Sequence, residues 1–254
     1  MMRRDRNGLV YYTFENLDLP HAIFTRLGGV SQGPFAGLNV GHTVGDEEEA
    51  VEANHGFIYE ALGISKEAFV TARQVHSGSV AIVGAEDRGR IIPATDGLVT
   101  GSQGVTLMLR FADCLPILLY DPQKRVIGLG HAGWRGTIRH LARNLARAMK
   151  EEFDCQGAEI KAGLGPAIGP CCYRVGQEVT ESVKAALPGC VGAIVEKGDG
   201  LYFDLWEATR WQLKEEGIEN MEVSGLCTAC HTEEFFSHRA EGGRTGRFAA
   251  LMTL

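Results

Sequence analysis

The chain has 254 residues, 44% hydrophobic and 22% charged, with a formal net charge of −7. That is enough apolar material for one large core, so a single domain over residues 1–254 is expected, with 1–13 as a loose N-terminal segment. The acidic balance argues against a broad nucleic-acid footprint.

The opening MMRRDRNGLVYY lacks the apolar run of a signal peptide, and no later stretch approaches a membrane span. Seven cysteines, an odd number, point to a reducing compartment. A cytoplasmic protein with neither nucleic-acid nor membrane partners is the expectation.

In chain order, TRLGGVSQGPFAGLNVG holds five glycines around Arg26 and Asn39. Such a loop lets backbone N–H groups approach an anion, and Arg26 can offer a fork of donors to phosphate or carboxylate. A plain surface loop is the alternative of equal weight. Asp46 then reads as a helix N-cap, with Glu47, Glu48 and Glu49 in the first turn and Gly63 as the stop. Val51, Ile58, Ala61 and Leu62 give that helix an apolar side, so the acidic run marks a helix start rather than a metal site. Residues 69–83 read as strand material broken by Gly78 and carry Arg73, Gln74 and His76. A lone His in a strand is more often a hydrogen-bonded structural residue than a ligand. Thr95-Asp96-Gly97 reads as a turn.

The stretch LMLRFADCLPILLYDPQKRVIGLGHAGWRGT, residues 107–137, carries the centre of the reading. Two β-rich runs, 115–120 and 126–129, flank Asp121-Pro122-Gln123-Lys124, a turn composition. A hairpin folded about the Pro122-Gln123 bond sets Cys114 opposite His131, with Cβ atoms about 4.5–5.5 Å apart. Pro116 cannot donate to a ladder, which confines its strand to an edge or starts it after Cys114. Past His131, Thr137 is expected to cap a helix with Ile138, Leu141, Ala142, Leu145 and Met149 on one face. Arg139, Arg143 and Arg147 form a basic stripe on another, most simply a solvated one. The join beside Gly133, Arg135 and Gly136 aims helix N–H groups at whatever His131 touches, which suits an anion.

Residues 160–164 read as a strand leading into the irregular GPAIGPCCYRVG. Adjacent Cys171 and Cys172 rarely bridge each other without strain, so buried thiols are expected there. A helix over 177–187 and another opened by Asp204, with Glu207 as in a capping box and Gly217 at its end, follow. Cys227, Cys230 and His231 spell the c-type haem motif CTACH, which is set aside because attachment needs export. A zinc finger is disfavoured too, since one CxxC without a second pair leaves the tetrahedron incomplete. The last stretch adds Ser237, His238, Arg239, Arg244 and Arg247. With no repeat or heptad, mixed sheets flanked by helices are the expected architecture.

Cys114 and His131, with His76 as a third, make a three-ligand metal site with one position open. Zinc accepts both ligand types, and an open position separates a catalytic zinc from a structural one. Such an ion lowers the pKa of bound water to about 7 or polarises a substrate atom. Spacing alone does not single out these three among eight His and seven Cys.

The segments TRLGGVSQGPFAGLNVG, RQVHSGSV, DGLVT, ADCLPILLYDP, GHAGWRGT, GPAIGPCCYRVG and FFSHRAEGGRTGRFAALM resemble, in order, the motifs of the YfiH/YlmD family, also called the laccase-domain or multicopper polyphenol oxidase family. The resemblance covers nearly the whole chain. It implies an α/β, mixed α+β, single domain with a two-sheet β core between helix layers. It also implies a purine nucleoside phosphorylase acting on adenosine, inosine and S-methyl-5′-thioadenosine, with adenosine deaminase activity in the same site. The family's zinc ligands fall on His76, Cys114 and His131.

On that footing Asp113 is the candidate proton carrier for deamination, although strand alternation turns it from the face of Cys114. Arg26, Arg135 and the helix start at Thr137 are candidates for phosphate, and Asn39 for a sugar hydroxyl or base edge. Purine nucleosides and phosphate are the expected partners of a monomer or homodimer.

A metal-independent cysteine hydrolase, with Cys114 as nucleophile and a neighbouring His as base, uses the same atoms and stays open. Copper-dependent polyphenol oxidation is less favoured, because the eight His include no His-x-His pair. Copper can nonetheless take the place of zinc at such a site. A non-enzymatic relative would be marked by loss of His76, Cys114 or His131, and all three are present.

Overall fold

The computed structural model describes residues 1–254. A strand as continuously apolar as Leu115–Asp121 needs cover on both faces, because alternate side chains point to opposite sides. Leu118 and Tyr120 pack with Phe111, Phe248 and Met252 between two sheets. Ile117 and Leu119 face the other way, onto Leu141, Leu145 and Met149 of a helix.

The first sheet has seven strands in the order Met2–Arg6, Leu9–Thr13, His21–Phe24, Phe248–Thr253, Thr106–Phe111, Phe69–Ala72 and Ile91–Ile92. The second has six, ordered Asn220–Val223, Lys161–Leu164, Leu115–Asp121, Val126–Ala132, Gly97–Thr100 and Val80–Ile82. A small sheet of Arg174–Val175, Gly200–Phe203 and Ile194–Lys197 completes the β structure. Helix α1, Glu48–Leu62, covers the outer face of the first sheet through Ile58 and Ala61. Helices α2 (Trp134–Ile138) and α3 (Leu141–Phe153) lie against the second, with α5 (Leu205–Glu215) packed on both of them and α4 (Gln177–Ala186) between α2 and the small sheet. The expected α/β domain with a two-sheet core between helix layers is the one that forms. No helix is long and apolar enough to cross a membrane.

Several local expectations change. Residues 1–13, expected to be loose, form a hairpin on the edge of the first sheet, with Leu9 and Val10 buried and the Met1 amino group paired with Glu222. Helix α1 takes Glu47 rather than Asp46 as its cap, and Gly63 ends it in the left-handed region at φ 66°. The central hairpin pairs Asp121 with Val126 across a loop that Arg125 closes at φ 53°, so His131 sits opposite Pro116 instead of Cys114. The Pro116 strand starts after Cys114 and is interior to its sheet, not an edge. Thr137 is not a cap. It lies inside the short α2, its hydroxyl donating back to the Gly133 carbonyl, and His140 at φ 59° breaks the run before α3. The Cys171-Cys172 pair is not buried: Cys171 is exposed and Cys172 half-buried.

The basic stripe is more than a solvated face. Arg147 and Lys150 reach the nearly buried Glu216 at 2.9 Å each, and Arg143 at 3.6 Å. Burial alone would raise the pKa of Glu216, but Lys150 and Arg147 outweigh it and lower it. A depressed carboxylate pKa contributes stability above the unfolded value that is lost as pH falls through the folded one. Glu216→Gln is therefore expected to cost on the order of 1 kcal/mol at neutral pH. In thermal melts the gap from the unsubstituted protein should close as pH drops below about 4. A gap of the same size at every pH would contradict the pairing.

Candidate active site and metal centre

Four segments pass from the first sheet to the second or end beside it, and each brings one functional side chain. His76 lies between Phe69–Ala72 and Val80–Ile82, Asp96 between Ile91–Ile92 and Gly97–Thr100, and Cys114 between Thr106–Phe111 and Leu115–Asp121. His131 stands near the end of Val126–Ala132, its ring 5.3 Å from that of Phe111 in the opposite sheet. Crossovers between packed sheets leave regular ladders, so their side chains point into the space where the sheets part.

Asp96, read from the sequence only as part of a turn, organises this space. It is fully buried and accepts from the backbone N–H groups of Val75 at 3.1 Å, His76 at 3.0 Å and Ser77 at 2.7 Å, and from the Ser77 hydroxyl at 2.8 Å. Those bonds hold His76 at φ 58°, a conformation that costs a non-glycine residue energy unless its surroundings fix it. Asp96 also meets His131 Nδ1 at 2.9 Å, which leaves Nε2 as the nitrogen free for an ion. Burial would raise the carboxyl of Asp96, but the bonds from His131 and Ser77 prevail and hold its pKa at about 2.

The ligand atoms of His76, Cys114 and His131 lie within 4.8 Å of one another. The two imidazoles have centroids 5.0 Å apart and meet edge to face. Gly133 permits this convergence, since a Cβ there would stand 2.8 Å from the Cys114 sulfur. Burial opposes ionisation of Cys114, yet His131 and His76 outweigh it and bring the thiol down to about 6. Burial likewise opposes charge on His131, and Cys114 with Asp96 raises it to about 9. Cys114 and His131 thus form a thiolate–imidazolium pair at neutral pH, with His76 beside it. Nitrogen and thiolate donors at these separations fit a borderline-soft divalent ion such as zinc, and fit copper as well.

The trio opens into a cavity of about 1140 Å³ that Asp113, Trp134, Arg135 and Tyr173 also line. Arg135 lies over the Trp134 ring at 4.4 Å. Asp113, at φ 80°, accepts from the Thr228 hydroxyl and the Arg239 backbone N–H, each at 2.7 Å. Arg26 and Asn39 do not line the cavity. Arg26 donates to Glu241 and to the carbonyls of Ala36 and Thr232, stacked on Phe236. Asn39, fully buried, bonds Asp46 and accepts from the backbone of Gly41 and Arg247. Both brace the glycine-rich loop.

Of the six arginines that line the cavity, sequence reasoning gave a role only to Arg135, and two of the others are largely withdrawn from solvent. Arg110 projects from Thr106–Phe111 with its Nε buried and unpartnered, and burial lowers its pKa. Arg247 lines the same cavity, and burial lowers it too. The one charge inside the apolar run LMLRF was a readable signal for Arg110.

Comparison with known proteins places residues 20–254 in a match to the family described as multi-copper polyphenol oxidoreductase laccase. The chain is 40% identical over 239 residues to the purine nucleoside phosphorylase YlmD of Geobacillus stearothermophilus, covering 90% of this chain and 87% of that one. It is 36% identical over 238 residues to the protein of the same name from Bacillus subtilis, covering 90% and 86%. Among solved structures, the Bacillus licheniformis hypothetical protein YfiH superposes with a TM-score of 0.93 at 35% identity over 99% of this chain and 98% of that one. The G. stearothermophilus YlmD structure also superposes at 0.93, with 37% identity over 98% and 97%.

Because Asp96 fixes both the His76 loop and the His131 ring, Asp96→Asn should weaken divalent-metal binding about 10- to 100-fold in chelator competition while the protein still melts cooperatively. Unchanged affinity would show that Asp96 does not orient the ligands.

Proposed function

This chain belongs to the multi-copper polyphenol oxidoreductase laccase family, and from that premise we propose that it is a zinc-dependent purine nucleoside phosphorylase that also deaminates adenosine in the same site. Adenosine, inosine and S-methyl-5′-thioadenosine are the proposed substrates. The observation that carries the reading is one cavity, large enough for a nucleoside and phosphate, that holds both the His76-Cys114-His131 trio and the unpartnered Arg110 guanidinium. The similarity to the purine nucleoside phosphorylases YlmD supports it from a separate direction.

Phosphorolysis needs a dianion held beside the anomeric carbon. Arg110 and Arg135 are the cavity's candidates, with Arg247, whose Nη1 already donates to the Thr245 and Gly246 carbonyls, as a further charge in the wall; they replace Arg26, which lies outside the cavity. Burial makes a guanidinium more effective here, because water screens its charge less. Trp134 and Tyr173 offer aromatic surface for the purine beside the trio. Zinc, held by His76, Cys114 and His131, supplies a Lewis acid for the purine leaving group or for water. Asp96 keeps the trio in register, and Asp113, next to Cys114 and oriented by Thr228 and Arg239, is the proposed carboxylate that takes a proton in deamination.

A second reading has one observation in its favour: His131 and His76 lower the Cys114 thiol to about 6, as a metal-free cysteine hydrolase requires. It lacks a role for the cavity arginines. Multicopper oxidation finds less support, since this trio offers two imidazoles and no His-x-His pair adds to them.

Incubated with adenosine, the zinc-loaded protein should release adenine only when phosphate is present and inosine whether or not it is. Adenine release that ignores phosphate would overturn the phosphorylase reading, and loss of all turnover on alkylation but not on chelation would favour the hydrolase. Arg110→Gln and Arg135→Ala should each raise the KM for phosphate about tenfold or more and that for nucleoside far less. Equal effects on both constants would remove these residues from phosphate binding.

A further inference from the structure

Two features that the site above leaves unused, the vicinal Cys171-Cys172 and the Cys227-x-x-Cys230 turn, come together in space. All four Sγ atoms lie within 4.8 Å of one another, and all four thiols are free. The Cys230 sulfur is 3.5 Å from that of Cys171 and 3.4 Å from that of Cys172. These distances are far beyond a disulfide bond of about 2.05 Å. They approach the spacing of about 3.8 Å between sulfurs that sit about 2.3 Å from a common tetrahedral zinc.

The backbone is arranged as such a centre requires. Cys230 and His231 donate their N–H groups to the Cys227 carbonyl, closing a tight turn that turns both sulfurs the same way. On the other side, Cys172 and Tyr173 donate to the Gly169 carbonyl, and that turn allows neighbouring residues to reach one point. The Cys227 sulfur accepts from the Gly169 N–H at 3.2 Å, a donor that stabilises a thiolate ligand. Cys227 is buried while Cys171 and Cys230 are exposed, so an ion has both an anchored side and an open approach. The objection raised by a single CxxC, an incomplete tetrahedron, is met by the vicinal pair.

We propose that Cys171, Cys172, Cys227 and Cys230 bind one zinc ion in a closed, structural tetrathiolate centre, separate from the His76-Cys114-His131 trio. The ion ties together two loops that build the cavity. The 168–173 loop brings Ile168 and Tyr173 to the cavity wall, and Ile168 N–H donates to the Asp113 carbonyl. The 227–230 turn carries Thr228, which bonds the Asp113 carboxylate, and leads into the segment whose Arg239 does the same. Its role is to hold Asp113 and the wall around it in place.

Metal content of the full chain, purified under reducing conditions without a chelating column, tests this by native mass spectrometry. Two zinc ions per chain are expected, falling to one in Cys171→Ser/Cys230→Ser. In a His76→Ala/His131→Ala variant, one cobalt ion should still bind and give the intense charge-transfer absorption of four thiolates, a test that does not depend on the cysteine variant folding. A zinc content that does not fall in Cys171→Ser/Cys230→Ser, iron in place of zinc at these cysteines, a disulfide among them under reducing conditions, or no thiolate absorption in the histidine variant would each overturn the proposal.

Discussion

A single buried carboxylate holds the site together. Asp96 gathers three consecutive backbone N–H groups, one hydroxyl and one imidazole N–H around two oxygens. Leaving such a charge in the interior without partners would cost several kcal/mol. Fully bonded, it locks the His76 loop, at a backbone angle that loop would not hold alone, against the strand that presents His131. The distance between those two ligands is therefore set before any ion arrives, and less of the binding energy is spent on ordering them.

The sheets supply the other constraint. With one β layer on each side of the inner core, the three passages of the chain from the first sheet to the second open at the same end, and the residues in them escape the ladders. Cys114 and Asp113 lie in one crossover, His76 in another and Asp96 in a third. Segments distant along the chain can thus converge without a sequential motif. Gly133 matters because it keeps the space at that end clear for the Cys114 sulfur.

The layered fold was legible because its central apolar runs are long and have no polar face, which demands cover on both sides. In Leu115–Asp121, Ile117 and Leu119 do face the helices, and Leu118 faces the opposite sheet. That His76, Cys114 and His131 meet was legible through resemblance, since the hairpin register that composition suggested is displaced by a loop at 122–125, centred one residue later than expected. Asp96 was not legible, because its partners lie some way off in sequence and a turn composition says nothing about a buried carboxylate. Arg26 and Asn39 sit where a ligand loop would place donors, but the loop's own backbone groups needed them. The four cysteines were weighed as two separate pairs, and only the fold brings the pairs together. His140, with neither Gly nor Pro to announce it, gave no sign of the break between α2 and α3.

The most direct test of the central claim is anomalous diffraction at the zinc edge from crystals of the metal-loaded protein. A peak is expected within about 2.0–2.3 Å of the His76 imidazole, the Cys114 sulfur and His131 Nε2, with Nδ1 of His131 still bonded to Asp96. No peak among these three side chains, or an ion bound directly by the Asp96 carboxylate, would contradict it.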